Sequence, residues 1–108
     1  MIDKVKIGGV NYAIQHQKDL HTVDDEGRKQ WANARCGFSE LVIEVNEGLQ
    51  ETLLPQVIMH ESLHCMLYHA GQTEQVEAHV LALGYSVVAF MRENPEYVRS
   101  VIGWEKLE

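Results

Sequence analysis

His60-Glu61-Ser62-Leu63-His64 carries the residue types and spacing best suited to chemistry in this chain. On a helix, two histidines four residues apart lie about 40° apart, so both imidazoles can reach one metal ion. Glu61 lies beside His60 and is not expected to be a ligand. It is placed to take a proton from a water that the metal activates. That is the chemistry of zinc-dependent peptide hydrolysis. The chain's own His and Glu frequencies give roughly 0.04 accidental matches to this pattern, so coincidence is an uncommon explanation.

A catalytic zinc needs three protein ligands and one open position. The longer HExxHxxGxxH pattern is excluded, because Leu67 and Ala70 stand where it needs glycine and histidine. His69 is one residue early and would point about 140° away from His64 on a continuing helix. It reads as a helix-end or supporting group. Further along, the available donors are Glu74, Glu77 and His79. Glu77 is flanked by Val76, Ala78 and Val80, and a carboxylate in apolar company wants a partner. Glu74 has another use, as a negative charge at a helix start. The two glutamates are one turn apart, so spacing alone does not separate them.

These residues need elements to position them. Val5 and Ile7 alternate with lysines, Gly8-Gly9 follows, and Val10, Tyr12 and Ile14 alternate again. This predicts a hairpin with strands over 3–7 and 10–17. Residues 19–29 read as a polar loop, with Asp24-Asp25-Glu26 solvated and without calcium-loop spacing. Residues 31–38 give no clear pattern. Leu41 to Val45 predicts a strand over 40–46, ended by Asn46-Glu47-Gly48. A helix is expected over 50–69, with Pro55 in its first turn and Gly71 as its stop. A second is expected over 73–92, capped by Thr73, with Val76, Val80, Leu83, Val87 and Phe90 as its apolar face. Pro95 opens a short third helix to Ile102. The order predicts one small α+β domain over residues 1–108.

Composition excludes several classes. The chain has 108 residues, 45% of them hydrophobic and 23% charged, with a net charge of −7. No basic stripe is present, which argues against nucleic-acid binding. No window reaches the ~18 apolar residues of a membrane span. Cys36 and Cys65 form no CxxC pair, so a reducing cytoplasm is the expected compartment. Cys65 reads as a small core residue, and Trp31 and Trp104 as packing anchors.

His60-Glu61-Ser62-Leu63-His64-Cys65-Met66, followed by Glu74-Gln75-Val76-Glu77-Ala78, resembles the ImmA/IrrE-type zinc metallopeptidases. The likeness is greatest to their short stand-alone forms from bacteriophages and prophages. The order of the Ile7–Tyr12 hairpin, the strand before the active helix and the Asn94-Pro95 segment is similar too. The resemblance implies a zincin-like fold, with Zn²⁺ held by His60, His64 and Glu77 and with Glu61 as general base. Family members usually carry Asn after the Glu-Ala pair, where this chain has His79. The resemblance also implies an edge strand, here 41–46, able to pair with an extended peptide substrate. It places the protein in a bacterial host cytoplasm. Tyr68, His69 and His79 are the candidates for an oxyanion donor. The competing expectations are a metal-stabilised binding module without catalysis, and a metal-dependent nuclease. Glu61 opposes the first, since structural zinc needs no base. The acidic balance opposes the second.

Overall fold

Gly8 and Gly9 both have positive φ, 58° and 82°, as the tight turn of a two-residue hairpin requires. They join β1 (Lys4–Ile7) to β2 (Val10–Gln17) in antiparallel register, with Ile7 opposite Val10. Alternation along β2 buries Tyr12 and Ile14 and exposes Asn11 and Ala13. The chain then forms β3 (His21–Val23) and β4 (Lys29–Trp31), an antiparallel pair standing apart as its own sheet. Next come β5 (Ala34–Gly37) and β6 (Val42–Asn46). A single 3₁₀ turn (Glu51–Leu53) leads into three helices, α1 (Leu54–His69), α2 (Glu77–Glu93) and α3 (Pro95–Ile102). This computed structural model, which describes residues 2–103, is therefore a small α+β fold. Trp104 lies outside the described residues.

The main sheet has the order β1-β2-β6-β5. β6 runs parallel to β2, with Ile14 beside Ile43, and antiparallel to β5, with Cys36 beside Ile43. The strand expected at the edge is thus an inner strand, and β5 is the edge. The cause lies in β6 itself. Val42, Ile43, Val45 and Asn46 are all buried, so both faces of the strand are covered, as in an interior strand. Asn46 extends this order outward. Its side-chain amide donates to Ala32 O at 3.0 Å and Leu20 O at 3.4 Å, holding the base of the β3–β4 hairpin against the sheet. Of the polar loop expected over 19–29, residues 21–23 are instead strand β3 and only 24–28 form the hairpin turn, where Asp24 accepts from the backbone N–H groups of Glu26 and Arg28.

α1 lies on the sheet and contributes fully buried Cys65 to a core with Tyr12, Ile14, Ile43 and Val45. Trp31 stands outside that core, 55% exposed, packed edge-on against His21. α2 begins at Glu77, four residues later than expected, with Val76 and not Thr73 as its cap. The preceding loop has to reverse the chain after α1. Gly71 takes φ 88° and Gln72 N–H returns to Leu67 O at 2.8 Å, so residues 70–76 are committed to the turn.

The packed face of α2 is also rotated from the expected one. Val80, Gly84 and Val88 are buried, while Leu83 and Phe90 are exposed. Gly84 explains the choice. A Cβ there would sit 3.3 Å from His60 Cα and 3.4 Å from His60 Cβ, so a glycine lets α2 cross α1 closely at the first histidine. Gly84→Val is expected to overpack this crossing and cost about 1–3 kcal/mol of folding stability in urea denaturation. An unchanged midpoint would show that the helices separate freely.

Candidate metal centre

α1 supplies both histidines from one stripe, and α2 packs against it with Glu77 in its first turn. His60 Nε2 lies 2.6 Å from Glu77 Oε1, and His64 Nε2 lies 3.0 Å from Glu77 Oε2. The two Nε2 atoms are 3.2 Å apart, with the rings edge-on at 66°. On a tetrahedral zinc with bonds of about 2.0–2.1 Å, ligand atoms sit roughly 3.3 Å from one another. Three electron-pair donors this close repel unless a cation or shared protons lie between them. His60, His64 and Glu77 form a group able to hold a metal ion. The imidazoles are 13% and 15% exposed and the Glu77 side chain is 68% exposed, so the group is walled by α1 and open on the α2 side.

Spacing left Glu74 and Glu77 unresolved, and the fold separates them. Glu77 is the first residue of α2, whereas Glu74 is exposed in the loop and outside the three-residue group. His79 is exposed and also outside it.

Glu61 is buried beside the group, with Oε2 3.8 Å from His60 Nε2. Burial pushes its carboxyl up to about 8, and the neighbouring Cys36 thiol adds to the rise. Cys36 comes from β5 and touches both Glu61 and Cys65, so the edge strand forms part of the carboxylate's pocket. Contact with Cys65 and burial hold the Cys36 thiol protonated. His60 is held below the ordinary histidine range, first by its burial and then by nearby His64, with Glu77 opposing. A buried imidazole that resists a proton keeps its electron pair available to a metal.

The group opens into a cleft of about 600 Å³ between β5, α1 and α2, with Thr22 of the β3–β4 hairpin on the rim. Ala34, Arg35 and Cys36 of β5 form one wall, and Leu81 and Tyr85 of α2 the other. The three oxyanion candidates from the sequence do not line it. Tyr68 stacks on Phe38 with ring centroids 4.2 Å apart. His69 Nε2 bonds Tyr12 O–H at 2.8 Å and packs over Gly8. Tyr85 and Gln56 do line the cleft. Tyr85 falls two turns after Glu77 on one side of α2, a spacing visible in the sequence once Glu77 is fixed.

Among the described residues, no helix is long and apolar enough to cross a membrane. Comparisons with protein-family models, with curated proteins and with solved structures give no match for this chain.

Proposed function

We propose that the chain is a zinc-dependent peptidase, with His60, His64 and Glu77 as metal ligands and Glu61 as general base. The observation that carries this reading is a three-donor group opening into a cleft, with a buried, unligating carboxylate beside it. A structural zinc would more often engage four protein ligands, cysteines among them. It would gain nothing from burying Glu61, which burial makes costly to ionise. The resemblance of residues 60–66 and 74–78 to the ImmA/IrrE-type zinc metallopeptidases supports the same reading.

Bound zinc would supply an activated water and a polarising charge for the scissile carbonyl. The chain's own residues do the rest. Glu61 takes the water proton on its carboxylate and delivers it to the departing amine. The substrate is an extended protein segment. With β6 in the sheet interior, the free edge beside the cleft belongs to β5, whose outward N–H and C=O groups offer a ladder to a peptide strand. Ala34 and Cys36 on that strand line the cleft.

The test is cleavage of a proteome-derived peptide library, with new termini read by mass spectrometry. Cleavage is expected with one equivalent of zinc, lost on chelation and restored by zinc. A fully zinc-loaded protein that cleaves nothing in the library would sink the peptidase reading.

A further inference from the structure

We infer that Gln75 is a positioning residue that fixes the tautomer and orientation of His64; this rests on the metal-site reading above. Gln75 lies in the turn between α1 and α2, two residues before Glu77. Its side-chain amide makes three contacts. Nε2 donates to His64 O at 3.2 Å and to Gln72 O at 3.0 Å, and Oε1 lies 2.5 Å from His64 Nδ1.

The two backbone contacts decide the third. Carbonyl oxygens only accept, so the amide must turn its NH₂ toward them. Oε1 is then the atom facing the imidazole, and it too only accepts. His64 must therefore donate Nδ1–H to Gln75. The electron pair of the neutral ring is left on Nε2, the atom 3.0 Å from Glu77 and 3.2 Å from His60 Nε2. A rotated ring or the other tautomer would aim N–H at the group and remove one donor. His60 has no such arrangement, since its Nδ1 is buried without a hydrogen-bond partner among the described residues. Gln75 also couples two ligands. The turn it staples is the one that delivers Glu77, so the second and third donors are set by one side chain.

Outer hydrogen bonds of this kind usually change metal affinity by about 10–100-fold. The experiment compares wild type with Gln75→Leu and Gln75→Glu. Leucine removes both acceptor and donors. Glutamate keeps an acceptor for Nδ1–H but loses both donors to the backbone. Cobalt(II) is the probe, titrated by its visible absorption, and the His64 tautomer is read by ¹⁵N NMR of metal-free protein at alkaline pH. Gln75→Leu should weaken cobalt binding about 10–100-fold and lose the Nδ1–H tautomer at His64, with His60 unchanged. Gln75→Glu should restore both.

The failures are separable. If wild type binds no cobalt, the metal-site reading falls and this role falls with it. If wild type binds and Gln75→Leu matches it in affinity and tautomer, the role alone is overturned. If Gln75→Glu fails as Gln75→Leu does, Gln75 staples the turn and does not orient the ring.

Discussion

Glu77→Gln is expected to weaken zinc binding on the order of 10²–10³-fold, while Glu74→Gln leaves it unchanged. Zinc bound by small protein sites is worth about 10–16 kcal/mol at neutral pH, so losing one of three ligands removes several kcal/mol. The amide keeps the size of the carboxylate and removes its charge. Glu77 meets both imidazoles, 2.6 Å from His60 and 3.0 Å from His64, whereas Glu74 stands outside the group. Zinc titration against a competing chelator measures both variants. Folding stability gives an independent reading. Metal that binds only the folded state adds about 2.7 kcal/mol at one hundred times its dissociation constant. Wild type and Glu74→Gln should therefore melt higher with zinc than without, and Glu77→Gln should barely respond. The reverse ranking would move the third ligand to Glu74 and require α2 to begin a turn earlier than it does.

That assignment shows where sequence ends and fold begins. His60 and His64 were legible because a helical repeat is local, and four residues of spacing settle which face they share. Glu77 against Glu74 depended on where α2 starts. The start is decided by the turn at 70–76, through contacts such as Gln75 to His64 that span eleven residues. Gln75 itself carries no signal of its role at that range. β5 was invisible for a related reason. Ala34-Arg35-Cys36-Gly37 has no β-branched residue and little alternation, and its strand state comes from pairing with β6. The resemblance implies an edge at 41–46, yet β6 lies inside the sheet. Its run of Val42, Ile43 and Val45 held the contrary signal, since apolar residues on both faces belong inside a sheet. The packed face of α2 differs from the one hydrophobicity predicts because Leu83 and Phe90 are larger than the Val80-Gly84-Val88 stripe that packs. Close approach to His60 selects small residues, and hydrophobicity does not report approach distance.

Glu61→Gln should separate catalysis from metal binding and reveal the cost of the buried carboxyl. Peptide cleavage is expected to fall about 10²–10⁴-fold, the usual range for losing a general base. Zinc content should stay at the wild-type level, because Glu61 lies beside the three donors and not among them. In the metal-free protein the same substitution should alter the pH dependence of stability. The Glu61 carboxyl is raised from an ordinary 4.5 to about 8 by burial. Folding therefore favours its protonated form. Its contribution to stability is full below pH 4.5 and is lost as pH rises through 8, a span of at most about 3–5 kcal/mol. His60, held below its ordinary 6.5 by burial, has the opposite slope, with stability lost as pH falls through its folded value. Glutamine cannot ionise, so metal-free Glu61→Gln should lose the alkaline decline, keep the acid one, and exceed wild type in stability near pH 8. Urea unfolding of chelated protein across that range measures this. An unchanged alkaline slope would assign the decline to another group. An active Glu61→Gln protein would give the proton transfer to a different base, and one that loses zinc would make Glu61 part of what holds the ligands in place.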